Sequence, residues 1–258
     1  LTIGSGFRSS TFRTEDIDVA RGRHSTDLAW AFVQERRSLS RDLELFLGAR
    51  CDVHSVAGTS WAPRAALVWR FDGPVAGTAT GSGDGQSLRA SYGEGYRNPS
   101  MRELWFEMPV AGVPITVYGN HDLRPERIRS LELAYTRQDA DGLSGSVGAF
   151  WNFVTDLVDF VPQTTGLAPR NVGVERAYGI EAAGEQKVGG HWSIFSNYAA
   201  TIRSRGGTRI PLAPRHKVNA GVSASWAENG EGASGMLWLN FFDDTELYGR
   251  HLPQYVLL

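Results

Sequence analysis

The chain of 258 residues contains a single cysteine, Cys51, which excludes an internal disulfide framework and paired-cysteine metal or redox sites. No apolar run approaches the roughly 18 residues that a membrane-spanning helix requires. Positive and negative charges nearly balance, because the chain contains 26 Lys and Arg and 28 Asp and Glu, for a net charge of -2. Nucleic acid is therefore not expected as a partner, since proteins that bind it usually carry a basic stripe.

Lysine is also scarce. Lys187 and Lys217 are the only lysines among the 26 basic residues, so nearly every cation is a planar guanidinium group. The sequence begins Leu-Thr-Ile, without an initiator methionine or the charged and apolar segments of a signal peptide. We therefore expect the chain to be a piece of a longer precursor.

Apolar residues recur at every second position in many stretches, which is the periodicity of a β-strand. The clearest stretches are 43–54, 143–153 and 218–226. Weaker alternation occurs at 64–71, 87–96, 130–138, 177–187, 191–203 and 236–242, with a mixed pattern at 27–37. None of these stretches lies within the first 25 residues. The chain is predicted to be all-β, with strands of about 10–12 residues that exceed the usual five or six.

Short and long connections alternate between the predicted strands. Turn residues mark short connections at Ser38–Asp42, Asp139–Gly142, Val188–Gly190 and Asn229-Gly230. Long connections are expected at Ser55–Pro63, Arg97–Arg127, Val158–Val172 and Ser204–Pro214, and the glycine-rich Asp72–Gln86 is a longer connection where a short one is expected. Short turns at one end and long loops at the other are typical of an antiparallel transmembrane β-barrel.

The two faces of the predicted strands differ in chemistry. The polar set is rich in Ser, Gly, Asn and Thr with spaced Arg89, Glu132 and Glu181, which suits a hydrated interior. The apolar set includes aromatic residues near strand ends, as in the girdle of a membrane barrel. These are Trp69, Tyr135, Trp151, Trp192 and Trp226. From periodicity alone, a soluble sandwich or soluble barrel remains possible.

Two stretches are more specific than the alternation. Residues 88–105 read Leu-Arg-Ala-Ser-Tyr-Gly-Glu-Gly-Tyr-Arg-Asn-Pro-Ser-Met-Arg-Glu-Leu-Trp, and residues 119–126 read Gly-Asn-His-Asp-Leu-Arg-Pro-Glu. They resemble the signature of TonB-dependent outer-membrane receptors, in which Gly-Tyr-Arg-x-Pro is followed by Glu-Leu and then by Gly-Asn-x-x-Leu-x-Pro-Glu. Residues 47–52, 61–68, 171–181 and 214–217 are similar to further strands of that family, with Cys51 in place of its usual tyrosine.

The resemblance implies a fragment holding about half the strands of a plugged outer-membrane transporter barrel. Residues 1–258 are then part of one β-barrel domain, and the plug domain, the TonB box and the final strands are absent. The residues that match the structural motif are Gly95, Tyr96, Pro99, Glu103, Asn120, Leu123, Pro125 and Glu126. Glu126 is expected to pair with Arg97 or Arg124, which would be architecture and not chemistry.

The candidates for ligand binding lie in the long loop of this signature. They are Arg97, Arg102, Trp105, Phe106, Tyr118 and Arg124. Aromatic and arginine side chains suit capture of an iron–siderophore or another bulky anionic or aromatic nutrient, and they equally suit packing of loops against one another. No catalytic residue, metal site or cofactor is expected, because the six histidines lack ligand spacing and nothing supplies a nucleophile.

The implied function is energised uptake of a large, scarce nutrient, namely a ferric siderophore, cobalamin or haem, across the outer membrane of a Gram-negative bacterium. The implied partners are outer-membrane lipid, the inner-membrane TonB complex acting through the missing plug, and the ligand itself. Two alternatives stay open. One is a secreted all-β carbohydrate-binding or hydrolytic domain, with Trp151, Trp192 and Trp226 buried together. The other is a passive porin-like channel without a plug.

Overall fold

The structure, a computed structural model of the chain, describes residues 1–13, 23–71, 85–105, 107–109, 112, 116–164, 166–210, 214–228, 231–247 and 250–257. The predicted turn at Asn229-Gly230 and nearly all of the predicted connection Asp72–Gln86 lie outside these residues. Within them, no helix has the length and apolar character needed to cross a membrane.

The described elements are almost all strands. In chain order they are β1 (Thr2–Arg13), β2 (Arg23–Ser38), β3 (Leu43–His54), β4 (Gly58–Phe71), β5 (Gly85–Arg97), α1 (Met101–Trp105), β6 (Glu107–Pro109), β7 (Thr116–Tyr118), β8 (Glu126–Gln138), β9 (Leu143–Thr155), β10 (Val158–Gln163), β11 (Gly166–Asn171), β12 (Val174–Val188), β13 (Trp192–Arg205), β14 (Thr208–Arg209), β15 (His216–Glu228), β16 (Glu231–Phe242), β17 (Thr245–Leu247), β18 (Arg250–Leu252) and β19 (Tyr255–Leu257). The all-β prediction is confirmed, with one short helix added.

One large antiparallel sheet contains most of these strands. Its continuous order is β1-β2-β3-β4-β5-β8-β9-β12-β13-β15-β16-β19, and β14 pairs with β13. Eleven of the twelve strands on this path contain 12 to 16 residues. Strands of that length are long enough to cross a bilayer at a tilt, which needs about 9–11 residues.

β1 is a long strand that the sequence analysis missed. It pairs with β2 along its whole length, from Thr2 opposite Gln34 to Arg13 opposite Arg23. The polar–apolar alternation of β1 is weak because Gly4 and Gly6 have no side chain that would identify one face of the strand as polar or apolar. Side chains there would collide with the neighbouring strand, since a β-carbon on Gly6 would lie 2.3 Å from the Trp30 ring.

The two ends of the sheet differ as predicted. At one end, called the turn end, strands are joined by residues 39–42, 139–142 and 189–191. At the opposite end, called the loop end, the connections 98–125 and 156–173 are long and carry α1 and four short strands.

The long connection predicted at Ser55–Pro63 is wrong. Only residues 55–57 separate β3 from β4. The His54 Nδ1 atom accepts the backbone N–H groups of Val56 and Ala57 at 3.2 and 3.1 Å, and Gly58 follows with a φ of +76°. This local turn is closed by a histidine side chain, so it carries no turn-type sequence signal.

Four of the five aromatic residues of the predicted girdle lie on an open surface, whereas Tyr135 is half-buried and its hydroxyl donates a hydrogen bond to Gln86 Oε1 at 2.7 Å. Trp69, Trp151, Trp192 and Trp226 are 51%, 52%, 48% and 45% exposed. Trp192 and Trp226 meet edge to face at 5.5 Å between ring centroids, yet neither is enclosed. The secreted-domain alternative requires Trp151, Trp192 and Trp226 in a closed core, and the described strands form no such core around them. We call this side of the sheet the apolar face.

The opposite side, called the polar face, carries ion pairs. The Glu44 carboxylate, which is 7% exposed, accepts hydrogen bonds from Arg36 at 2.5 Å and from Arg70 at 2.8 Å. These three residues lie on neighbouring strands β2, β3 and β4 near the turn end. Paired arginines and carboxylates on this face fit a hydrated surface better than a packed core.

Candidate functional site at the loop end

Arg97, at the end of β5, is the centre of the motif that the sequence analysis singled out. Its Nη1 and Nη2 atoms donate to the two carboxylate oxygens of Glu103 at 2.8 and 2.9 Å. Its Nε atom donates to Glu126 Oε2 at 2.6 Å, and Glu126 Oε1 accepts the Val158 N–H at 2.7 Å. The predicted pairing of Glu126 with Arg97 is therefore confirmed, and the guanidinium group ties β5, α1 and β8 together.

Helix α1 begins with a capping box. The side chain of each of Ser100 and Glu103 accepts a hydrogen bond from the backbone N–H of the other. The Glu103 N–H donates to Ser100 Oγ at 3.2 Å, and the Ser100 N–H donates to Glu103 Oε2 at 2.7 Å. Pro99 is buried just before the cap, and Leu104 is 1% exposed on the inner side of the helix. Partial burial raises the pKa of Glu103, but the hydrogen bonds from Arg97 and Ser100 outweigh it and hold that pKa below its ordinary value.

Asn120 fastens the far part of the same connection. Its backbone N–H donates to the Glu103 carbonyl at 2.8 Å, and its side-chain Nδ2 donates to the Pro169 carbonyl at 3.0 Å. Its Oδ1 atom accepts the Asp122 N–H at 2.9 Å. Leu123 is 3% exposed and Pro125 is buried, so the return into β8 is packed as well as hydrogen-bonded.

The two remaining motif residues lie in β5. Gly95 is opposite Ile128 of β8, and a β-carbon there would lie 3.2 Å from Ile128 Cγ2, which favours glycine at this position. Tyr96, beside it, is half-buried. All eight residues of the structural motif therefore lie in, or at the strand ends of, the 98–125 connection.

The two long connections are joined in a sheet of their own, in the order β10-β11-β7-β6. The join is the parallel pair of Gly166 and Leu167 with Thr116 and Val117. A β-carbon on Gly166 would lie 1.8 Å from the Thr116 carbonyl oxygen, so only glycine allows this approach. The described strands of the 98–125 and 156–173 connections thus share one small sheet at the loop end.

Asn171 is a positioning residue to which sequence reasoning assigned no role. Its Nδ2 atom donates to the carbonyls of Asp156 at 2.7 Å and Arg124 at 2.9 Å, and its Oδ1 atom accepts the Arg124 N–H at 2.9 Å. It is the first residue of the 171–181 stretch, which resembles a strand of the receptor family. An asparagine just before a glycine-containing turn was the available signal, but its partners lie 15 and 47 residues away in sequence.

An aromatic group lies where the 98–125 connection reaches back to the first hairpin. The Trp105 ring stacks on His24 at 5.1 Å and 24°, and meets His121 edge to face at 5.6 Å. Phe12 lies opposite His24 in the β1–β2 pair, and its ring centroid is 6.4 Å from that of Trp105. We call Phe12, His24, Trp105 and His121 the Trp105 cluster. Phe12 and His24 are an even number of residues from Gly6 and Trp30 along their strands, so they lie on the same side of the sheet, which is the polar face. The cluster therefore lies on the polar-face side of the loop end.

The predicted ligand residues differ in their exposure and position at the loop end. Arg97 and Arg124 have internal partners, since Arg124 Nη2 lies 2.6 Å from Asp156 Oδ1. Arg102 is exposed on α1, and Trp105 is half-buried in the cluster. Tyr118 is half-buried in β7, and Phe106 lies outside the described residues. In the part of the chain that the structure describes, no group of three His, Cys, Asp or Glu side chains is arranged to hold a metal ion.

Comparisons with known proteins agree with this geometry. The family model described as TonB dependent receptor-like, beta-barrel matches residues 2–257. The iron-regulated outer membrane virulence protein of Vibrio cholerae is 26% identical over 227 residues, covering 80% of this chain and 33% of the relative. The chain therefore spans about a third of the length of the curated relatives that it matches.

Solved structures show the same fold. The siderophore receptor PirA from Acinetobacter baumannii superposes with a TM-score of 0.74 at 15% identity, over 98% of this chain and 44% of that one. A variant of the ferric enterobactin receptor from Pseudomonas aeruginosa, in complex with enterobactin, gives a TM-score of 0.77 at 15% identity, over 98% of this chain and 42% of that one. With the family match over nearly its whole length, the chain belongs to the TonB-dependent receptor-like β-barrel family.

Proposed function

We propose that this chain forms part of an outer-membrane receptor for energised, TonB-dependent uptake of a large, scarce nutrient, with a ferric siderophore as the first candidate. Family membership supports receptor function, and a curated relative is named as iron-regulated. One of the similar structures is named as a siderophore receptor, and another is named as a ferric enterobactin receptor in complex with enterobactin. Cobalamin and haem are the other candidates.

The observation that carries the proposal is the Trp105 cluster at the loop end, with the exposed Arg102 three residues before Trp105 in the same helix. Aromatic faces bind flat aromatic groups, and a guanidinium group binds carboxylate and phenolate oxygens. We assign ligand contact first to Arg102 and Trp105, and also to Tyr118 and Phe106. Arg97 and Arg124 support the site by holding its connections, and they contact the ligand only if their present partners are displaced.

The proposal includes no covalent chemistry in this chain. The loop end captures the ligand, and the inner-membrane TonB complex then supplies the energy for its release inward. Outer-membrane lipid surrounds the apolar face. Residues 1–258 contribute strands to one barrel domain in this account.

The test measures binding and uptake with three defined probes, namely ferric enterobactin, haemin and cyanocobalamin. The protein is expressed in an outer membrane, first with and then without a functional TonB complex. We expect one probe to bind at micromolar concentration or below and its uptake to stop when TonB is removed. Binding of none of the probes, or uptake that persists without TonB, would contradict the proposal, and the second result would favour a passive channel.

A further inference from the structure

Arginine side chains interrupt the apolar face close to the loop end. Arg129 of β8 and Arg176 of β12 lie opposite the same residue, Phe153 of β9, and so stand in one row across three strands. Arg127 lies two residues further toward the loop end of β8, on the same face as Arg129. We propose that these three residues bind the phosphate groups of an anionic lipid headgroup.

The register places the row directly beside the apolar band. The next row on the same face is Leu131, Trp151 and Tyr178, which are 51%, 52% and 45% exposed. Beyond it come Leu133 and Ile180, again about half exposed. Arg129 and Arg176 therefore mark the point where the apolar surface ends and a charged surface begins.

The distance along β8 agrees with a bilayer boundary. The next arginine on this face is Arg137, eight residues from Arg129, with Leu131, Leu133 and Tyr135 between them. Eight residues rise about 27 Å along a strand. At a tilt of about 40° they span about 21 Å, close to the roughly 25 Å apolar band of membrane barrels. Arg129 thus lies at headgroup depth.

The local charges favour an anion. The Arg176 guanidinium lies over the Phe153 ring at 5.4 Å from its centroid, and the Arg129 side chain, from the strand on the other side of β9, is 50% exposed. Among the residues that the structure describes, Glu94 is the acid that pairs with this row, with Oε1 at 3.6 Å from Arg129 Nε, and it also accepts a hydrogen bond from the Tyr92 hydroxyl. One carboxylate against three guanidinium groups leaves an excess of positive charge, and planar guanidinium groups bind phosphate oxygens in pairs.

The occupant is a lipid and not a free anion because of what adjoins the arginines. A soluble phosphate would gain nothing from the row of Leu131, Trp151 and Tyr178. A phosphorylated lipid would place its headgroup on the arginines and its acyl chains along that row, which buries apolar surface on both partners. This inference depends on the outer-membrane location in the proposed function, but not on the nutrient transported.

The test is lipid binding by the full-length receptor in dodecyl maltoside micelles. Diphosphoryl lipid A is titrated against the wild type, the double variant Arg129→Gln/Arg176→Gln, and a control, Arg89→Gln, on the polar face. Heat-modifiable gel mobility verifies that each variant is folded. We expect the double variant to bind at least about tenfold more weakly, because charge-assisted hydrogen bonds to phosphate are lost. The control should bind as the wild type does.

Three results would overturn the inference. In the first, the double variant folds and keeps more than about a tenth of the wild-type affinity for lipid A. In the second, phosphatidylcholine binds as tightly as lipid A. In the third, inorganic phosphate at the same concentration as lipid A displaces it. If the double variant fails to fold, the variant Arg129→Lys/Arg176→Lys replaces it. That variant must also bind lipid A more weakly than the wild type does. Nutrient binding is measured in parallel on the same proteins. If none of the proposed nutrients binds, the lipid-binding result can still support or contradict this inference.

Discussion

The guanidinium group of Arg97 donates two parallel hydrogen bonds, of 2.8 and 2.9 Å, to the carboxylate of Glu103. The two residues are six positions apart, yet they join the end of a 13-residue strand to the first turn of a helix in the following loop. The same carboxylate caps that helix through the Ser100 N–H. One ion pair therefore determines how the 98–125 connection leaves the sheet.

Replacement of Glu103 by Gln should loosen this connection. The amide keeps one acceptor oxygen but loses the charge and the second acceptor for Arg97, and the cost is about 1–3 kcal/mol because the carboxylate is largely buried. Hydrogen–deuterium exchange of a peptide covering 98–105 should become faster. Glu107→Gln, an exposed acid on β6, is the matched control and should leave exchange unchanged. Equal exchange in wild type and Glu103→Gln would refute the role given to the pair.

The same site should respond to acid. The pKa of Glu103 in the folded protein lies below its ordinary value of 4.5, so its stabilisation is complete above that value and is lost as the pH falls through the folded pKa. Exchange of the 98–105 peptide, corrected for the intrinsic pH dependence, should differ between wild type and Glu103→Gln at pH 7. The difference should shrink below about pH 4. A difference that is undiminished at pH 3 would show that Glu103 ionisation does not hold the connection.

Trp105→Ala should weaken binding of ferric enterobactin, the first probe of the proposed function, by about tenfold or more, because the aromatic face is removed. Trp105→Phe retains a ring against His24 and should keep most of the affinity. Trp151→Ala, on the apolar face, is the control for loss of a tryptophan and should bind normally. Equal affinity of Trp105→Ala and Trp151→Ala would remove Trp105 from the ligand site.

Gly166→Ala should separate the two long connections. The added methyl group would lie 1.8 Å from the Thr116 carbonyl oxygen, so the parallel pairing of β11 with β7 must open, at a cost of about 1–3 kcal/mol. Exchange should rise in peptides covering 116–118 and 166–171. Gly235→Ala is the control, because no atom lies within 4 Å of its added β-carbon. Unchanged exchange in Gly166→Ala would mean that the two connections do not depend on this approach.

Several features were predictable because they are local. Alternation over 43–54 or 143–153 specifies both the strand and its faces, since successive side chains point to opposite sides. The pairing of Arg97 with Glu126 followed from a motif that brackets one loop. The 55–57 turn was mispredicted because a histidine side chain closes it, and β1 was missed because its glycines make room for the rings of the next strand.

By itself, the sequence determined that the chain is built from long antiparallel strands with one apolar face, and its loop motif indicated the family. Only the tertiary structure decided which loop residues meet. Trp105 reaches His24, and Asn171 holds Arg124, across sequence separations over which no periodicity operates. The arginine row of the apolar face is also a product of register, because Arg129 and Arg176 become neighbours of Phe153 only when β8, β9 and β12 pair. Periodicity is a property of a single strand, whereas a site here is a property of several strands and loops aligned together.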